Sequence, residues 1–205
     1  MRVDKIILRA TLSTLAAIFC LIGIMIFALC YLFPATMMNI AYDLGMDNAS
    51  ITCAKRSYKR TDEVCYIAFA TEVAIIAEND EAIADCGKRF ISDDAQAFQA
   101  YCVDKNQALS SELSATYEQY VFGQICAAEY RLGDKAQALE DAFAYLHGAF
   151  PANNSVVTLL FTALQENDGQ TVGQIQTRLV SLSQTNNLTE TDGAYLQEIL
   201  TALGA

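Results

Sequence analysis

Apolar residues run without a single charge from Ala10 to Phe33, and beyond Pro34 they recur in a helical rhythm as far as Leu203. The first stretch, through Leu15, Ile18, Phe19, Leu21, Ile22, Ile24, Met25, Ile26, Phe27 and Leu29 to Tyr31, holds 24 residues. As a helix rising about 1.5 Å per residue it reaches about 36 Å, enough to cross a hydrocarbon core of about 30 Å with some tilt. Residues 10–33 therefore predict one transmembrane helix in contact with the lipid bilayer. The next apolar runs, Val64–Ala77 and Val156–Leu164, are too short to cross, and the first carries Glu72, so both predict buried helices. A cleaved signal peptide is the main rival, but its apolar region is about 7–15 residues long and ends at a small-x-small site. Neither feature is present, and Phe19 and Leu29 stand before Cys20 and Cys30 where lipoprotein processing needs a small residue.

Beyond the span the apolar spacing is that of helices. Met37, Ile40, Ala41 and Leu44 form a first stripe, continuing the membrane helix past a proline kink, and Phe69, Val73 and Ile76 form the next. Val121, Ile125, Ala128 and Leu132 stand at i, i+4, i+7 and i+11; Gly133 ends that helix and Asp134 is placed to cap its successor. Leu139, Phe143, Leu146 and Phe150 repeat the pattern until Gly148 and Pro151 stop it. Asn153 to Ser155 start a helix striped by Val156, Leu159, Leu160, Ala163 and Leu164. Two more follow on Val172, Ile175, Leu179 and Leu182 and on Leu196, Ile199, Leu200 and Leu203. Thr189 with Asp192 resembles a capping box at the start of the last one. Helices of about 12–20 residues joined by short turns at 78–80, 168–169 and 186–187 predict antiparallel neighbours. Two Pro and ten Gly in 205 residues disfavour a sandwich or barrel built from many tight turns. The reading is all-α: a charged N-terminus over 1–9, a membrane helix over 10–33, a juxtamembrane helical segment over 34–63 and a helical domain over 64–205.

Within that domain, residues 120–151 resemble a tetratricopeptide (TPR) unit. The likeness rests on Ala127, Ala128, Tyr130, the Gly133-Asp134 turn, Ala138-Leu139, Phe143 and Pro151 closing the second helix. An offset of 56 brings Tyr66, Ala82, Ile83, Asp85 and Phe90 onto Phe122, Ala138, Leu139, Asp141 and Leu146, which suggests a second, degenerate unit over 64–91. Plain helical hairpins without that ancestry are the alternative. The resemblance implies a short α-solenoid of antiparallel helix pairs whose groove holds a peptide or partner helix, and hence a membrane-anchored adaptor or scaffold rather than an enzyme. The plan of a brief charged N-terminus, one span and a TPR-like domain outside resembles bacterial ancillary proteins beside membrane translocation or envelope-assembly machinery.

Charge narrows the partners. Three of the 13 basic and one of the 24 acidic residues fall in 1–9, which leaves 10 basic against 23 acidic and a charge of −13 on the remainder. Such a domain repels nucleic acid and anionic lipid surfaces. The local exception is Lys55, Arg56, Lys59 and Arg60, whose spacing gathers four cations on one side of a helix, where an acidic protein partner or lipid phosphates are the expected contacts and a solvated face is the plain alternative. Arg2, Lys5 and Arg9 precede the span while residues 34–52 hold no Lys or Arg, which places the N-terminus in the cytoplasm and the domain outside. Counting Lys55 to Arg60 would reverse that orientation.

Catalytic and cofactor signals are sparse. No G-x-x-x-x-G-K-[ST], G-x-G-x-x-G, G-x-S-x-G or C-x-x-C occurs, and one histidine, His147, cannot build an H-E-x-x-H zinc site. No cofactor or metal is expected. His147 reads as a residue facing the carbonyl end of a helix. The acids Glu78, Asp80, Glu81, Asp85, Asp93 and Asp94 read as solvated groups at turns and helix starts. Of seven cysteines, Cys20 and Cys30 lie in the span; Cys53, Cys65, Cys86, Cys102 and Cys126 are small core residues in a reducing compartment or carry one or two disulfides in an oxidising one. Sequons at Asn48, Asn153 and Asn187 are weak signs of an outside domain. Two other functions compete: a thiol-dependent membrane protein, which needs a thiol of lowered pKa such as Cys53 beside Lys55 and Arg56, and a structural subunit of a membrane complex packing through Gly23.

Overall fold

In the computed structural model, residues 2–108, 116–147, 149–185 and 188–204 are described, and among them every regular element is a helix. The expected stop at Gly148 and the Asn186-Asn187 turn with its sequon lie outside these residues, as do the side chains of Arg2, Lys5 and Arg9. The order is α1 (Arg2–Leu32), α2 (Pro34–Asp43), α3 (Asp47–Thr61), α4 (Val64–Ile76), α5 (Asp80–Ser92), α6 (Ala95–Ala108), α7 (Tyr117–Arg131), α8 (Lys135–Ala144), α9 (Ser155–Gln165), α10 (Gly169–Ser183) and α11 (Glu190–Ala202).

Helix α1 is long and apolar enough to cross a membrane from Thr11 to Leu32, and none of that stretch is buried by the rest of the chain. Its end has a covalent cause. Pro34 has no N–H to donate and its ring disfavours helical backbone at Phe33, which sits at φ −127°; the same proline then opens α2 at the position where a missing N–H costs nothing. The stripe on Met37, Ile40, Ala41 and Leu44 is thus a separate helix.

From α3 onward each helix packs on the next: α3 on α2 and α4, α4 on α5, α5 on α7, α7 on both α8 and α9, α9 on α10, and α10 on α11. Two apolar cores result. The first gathers Ile51, Ala54, Ile67, Val73, Ile83, Phe90, Phe98, Phe122 and Ile125, so α3 is built into the same body as the helices after residue 64. The second gathers Leu139, Phe150, Val156, Leu159, Ile175, Leu179, Leu196 and Leu200. Helix α7 feeds both, and glycine lets its neighbours close in. A Cβ on Gly123 would stand 2.6 Å from Thr158 Oγ1 of α9, and one on Gly87 of α5 would stand 2.5 Å from Ile125 Cγ1.

Three expectations need correcting. Helix α8 ends at Ala144, six residues before Phe150; Leu146 and Phe150 are buried from the connecting segment, in which His147 takes φ +46°. Asp134 stands at the N-cap of α8 without making a side-chain capping bond. Several helices, among them α2, α8 and α9, are only 10 or 11 residues long. Helix α6 carries no stripe that marks it in advance, yet Phe98 and Cys102 are buried in the first core. Together with the connection to Tyr117 it spans 95–116.

The caps at Asn154 and Thr189 form as side-chain acceptors for Val157 and Asp192 N–H. Asp168 does more than cap. Its Oδ1 accepts the Thr171 N–H at 3.1 Å, and its Oδ2 accepts the Thr171 hydroxyl at 2.8 Å, the Tyr130 hydroxyl at 2.9 Å and Lys135 Nζ at 2.7 Å. Lys135 first, then the Thr171 N–H and both hydroxyls, hold this carboxyl well below its ordinary value of 3.8. A depressed carboxylate pKa contributes stability that is present above the ordinary value and lost as pH falls through the folded one. Asp168→Ala is therefore expected to lower the urea midpoint by a constant amount above about pH 5, with the deficit shrinking toward the most acidic range. An equal deficit at pH 7 and pH 2 would assign the effect to packing instead.

Candidate functional site

The four cations that the sequence singles out all lie on α3, whose buried face is Ser50, Ile51, Cys53, Ala54 and Ser57. Lys59 and Arg60 occupy its last turn and Asp47 its first, the placement that the helix dipole favours. The structure divides the four between two edges. Lys55 turns toward α5 and pairs with Asp85, which Arg89 Nε also approaches at 3.4 Å; the bond from Lys55 is the main cause of a lowered Asp85 pKa.

Arg56 and Arg60 turn the other way, onto the end of α1. Arg60 Nη2 donates to the Tyr31 carbonyl at 2.6 Å and Nη1 to the Leu32 carbonyl at 3.3 Å, with the guanidinium 5.3 Å from the Tyr31 ring. The last carbonyls of a helix have no intrahelical donor, and a proline two residues on supplies none; a guanidinium with five donors fills that need. Arg56 lies 5.8 Å from the Tyr31 ring and 5.9 Å from the Phe27 ring, within cation–π reach. Lys59 is exposed beside them. Farther down, Gly23, Ile26, Phe27 and Cys30 of α1 and Ala49, Thr52, Cys53 and Arg56 of α3 line a shallow groove. Helix α3 therefore runs beside the last turns of α1 in the same direction, and residues distant in sequence flank the end of α1.

The thiols are all unpaired, and Cys53, Cys86, Cys102 and Cys126 are buried. Burial pushes Cys53 up to about 11, helped by its contact with Cys30 and only partly offset by Arg56. It also pushes Cys86 to about 11, Cys102 to about 12 and Cys126 well above the ordinary thiol range. Cys65 is exposed and is raised by partial burial and then by Glu63. A reactive thiolate needs the opposite shift.

The chain matches no family model, no curated protein and no solved structure.

The acids fall where capping and pairing use them. Asp80 takes Arg131 through both oxygens at 2.6–3.0 Å, Asp93 accepts the Tyr58 hydroxyl at 3.1 Å, and Asp94 caps the Ala97 N–H at 2.9 Å. Among the described residues no group of three His, Cys, Asp or Glu side chains is arranged to hold a metal ion. His147 meets Phe122 edge-on at 6.2 Å.

Two polar clusters escaped the sequence. Glu72 receives Lys105 Nζ at 2.8 Å, the Tyr117 hydroxyl at 2.7 Å and the Tyr101 hydroxyl at 3.3 Å, and so straps α6 across α4 and α7. Glu129 of α7 is 3% exposed and pairs with Lys88 of α5, while its Oε2 has no hydrogen-bond partner among the described residues. A carboxylate inside an apolar run was the only advance signal for the first. The second had none, because Glu129 sits among small residues that give no reason to expect a lysine from 41 positions away.

Helices α7 and α9, in contact through Gly123 and Thr158, leave large side chains uncovered: Tyr120 and Leu132 on one, Phe161 and Leu164 on the other. Phe161 is the most open of these at 61%.

Proposed function

We propose that this chain is a membrane-anchored helical scaffold whose stacked hairpins, arranged as a short TPR-like solenoid, bind a partner protein and catalyse no reaction. The observation that carries the reading is the exposure of Tyr120 on α7 and of Phe161 and Leu164 on α9, two helices in contact through Gly123 and Thr158. Aromatic and aliphatic side chains set on a packed two-helix edge are what a partner helix or peptide buries. Support for an anchor over a cleaved leader comes from the other end, since α3 spends Arg60 on the carbonyls of Tyr31 and Leu32 and lays Arg56 over Phe27, contacts that removal of α1 would abolish. A place beside envelope-assembly or translocation machinery follows from the architectural resemblance alone.

A photoreactive residue at Phe161 or Tyr120 in cells is expected to give one discrete adduct, absent from a site on exposed Gln170 of α10, and Phe161→Glu is expected to abolish the adduct made from Tyr120. Adducts of equal yield from all three positions would sink the reading.

For orientation, the cations of residues 1–9 favour a cytoplasmic N-terminus and a domain outside. Arg56 and Arg60, which fold back onto the far end of the span, favour the reverse. Cys65 decides between them, being the exposed thiol beyond α1. Labelling of Cys65 in intact cells by a membrane-impermeant maleimide is the expected result for an outside domain; labelling only after lysis places the domain in the cytoplasm.

A further inference from the structure

We propose that Cys30 of α1 and Cys53 of α3 are a disulfide-forming pair, that their bond staples α1 to the helical domain, and that the stapled arrangement excludes insertion of α1 across a bilayer. The proposal rests on the reading of α1 as a membrane span and adds a covalent state that governs it.

Tertiary packing makes the pair. The two cysteines stand 23 positions apart on helices joined through α2, and no local spacing rule links them. Arg60 on the carbonyls of Tyr31 and Leu32, with Arg56 near the rings of Phe27 and Tyr31, fixes how α3 lies along α1. That register brings the Cys30 and Cys53 thiols within hydrogen-bond reach of each other. Both line the groove between the two helices, and both are free thiols. Thiols that touch across neighbouring helices are the arrangement from which a disulfide closes by side-chain rotation rather than by helix movement.

Their surroundings set the order of events. Cys53 is 1% exposed, whereas Cys30 is only part-buried and can be reached from the groove. Cys30, as its thiolate, attacks one sulfur of a small-molecule disulfide such as oxidised glutathione, which forms a mixed disulfide and releases one glutathione thiolate. Cys53 then gives up its proton and attacks Cys30 Sγ, which releases the second glutathione and closes the protein's bond. The two protein thiols lose two protons and two electrons, and the reagent's disulfide takes up the electrons as it becomes two thiols.

Closure decides where α1 can be. Gly23 stands ten residues before Phe33, about 15 Å along the helix, and α3 runs beside that stretch. Helix α3 is tied to the rest of the domain through Lys55 on Asp85 and through Asn48, which accepts a hydrogen bond from Asn79. Inserting α1 as far as Phe33 with α3 in place would carry Asp47, Asn48 and the Lys55–Asp85 pair to hydrocarbon depth, where charged side chains are strongly disfavoured. With residues 23–33 held outside, residues 10–22 offer about 20 Å of helix against a hydrocarbon core of about 30 Å. Stapled α1 is too short to cross. With both thiols reduced, α1 can part from α3, exchange the Arg56 and Arg60 contacts for lipid, and insert.

The test uses the full-length chain carrying Cys20→Ser and Cys65→Ser, which removes the two exposed thiols. It would be oxidised in detergent with oxidised glutathione and its disulfides mapped by mass without reduction. Peptides joined through Cys30 and Cys53, lighter by two hydrogens than the separate thiols, are expected. Both thiols free, or a glutathione adduct left on Cys30, overturns the proposal. The chain contains no tryptophan, so Ile24→Trp, at an exposed site on α1, then reports depth in phosphatidylcholine vesicles carrying acyl-chain-brominated lipid. Its emission is expected to be blue and quenched in the reduced protein, to lose that quenching when the bond is closed and to regain it with dithiothreitol. Adding Cys53→Ser is expected to abolish the response to oxidant. Quenching that persists with the mapped bond closed overturns the proposal and spares the span. Absence of quenching in the reduced protein overturns the reading of α1 as a span and leaves the mapped staple standing.

Discussion

Phe122→Ala is expected to cost about 3–5 kcal/mol and to separate the unfolding of the two cores. Phe122 is 2% exposed on α7 and touches both halves of the molecule: its ring lies 5.7 Å from Phe98 of α6 and stacks at 4.2 Å on Tyr145, which packs against both apolar clusters. Truncation removes the transfer energy of a buried aromatic, leaves a cavity among helices that cannot collapse onto one another, and deletes the stacked pair. A domain of this size has about 5–15 kcal/mol in hand, so the loss is a large part of it. The measurement is denaturant titration of the detergent-solubilised chain, with hydrogen exchange read by mass on peptides from α4–α5 and from α9–α10. Wild type is expected to lose protection in both together and the variant to lose it at two midpoints. A single transition displaced by less than about 1 kcal/mol would show that the cores are joined elsewhere; Phe122→Leu, which keeps most of the volume, is expected to cost under about 1.5 kcal/mol.

Lys88→Met should produce the other large effect, and one that depends on pH. Glu129 is buried, and desolvation is the main cause that holds its carboxyl above the ordinary value of 4.5, with Lys88 opposing it. A raised carboxyl pKa means that folding binds protons, so stability is full below the ordinary value and declines as pH rises through the folded one. Removing Lys88 lifts the folded value further and widens the decline. Breaking a fully buried pair costs about 3–5 kcal/mol, but the Lys88 side chain is 46% exposed and solvent screens it, so a deficit of about 2 kcal/mol at pH 7 is expected. The deficit should shrink as pH falls through the ordinary value of 4.5 and be lost by about pH 3, where Glu129 is protonated in both states. Adding Glu129→Gln to Lys88→Met should restore stability at pH 7, since the uncompensated charge is then gone. A deficit of equal size at both pH values would mean that the lysine stem packs and its charge is irrelevant.

Both effects act on the body that presents the α7 and α9 edge. Because α7 belongs to both cores and touches α5, α8 and α9, loss of its packing is expected to disperse Tyr120 and Phe161 before any surface contact is altered. The crosslinking comparison at those two positions therefore belongs on variants whose melting has been measured.

Much of the helical class was legible because apolar spacing is local. The 24-residue uncharged run at α1, the stripes on α9, α10 and α11, the helix start at Asn153 to Ser155 and the cap at Thr189 each depend on residues within a few turns of one another, and those short-range rules were enough to predict them. Where α8 stops was not legible. Leu146 and Phe150 keep the helical rhythm but are buried from irregular backbone, since periodicity records which side chains go inward and not the conformation that carries them there.

Helix α6 was hidden for a related reason. Its Phe98 matters because the edge of that ring meets Phe90 at 4.8 Å, and nothing in the local pattern of 95–108 shows that contact. The basic cluster shows the division most sharply. Sequence alone determined that Lys55, Arg56, Lys59 and Arg60 share a helix, because 3.6 residues per turn sets their angles. Only the tertiary structure decided that Lys55 answers to Asp85, 30 positions on, while Arg60 answers to backbone carbonyls 28 and 29 positions back. An ion pair or a capped helix end is formed by whatever the packing brings within about 3 Å, and that proximity is set by how whole helices stack and by where Pro34 breaks the chain.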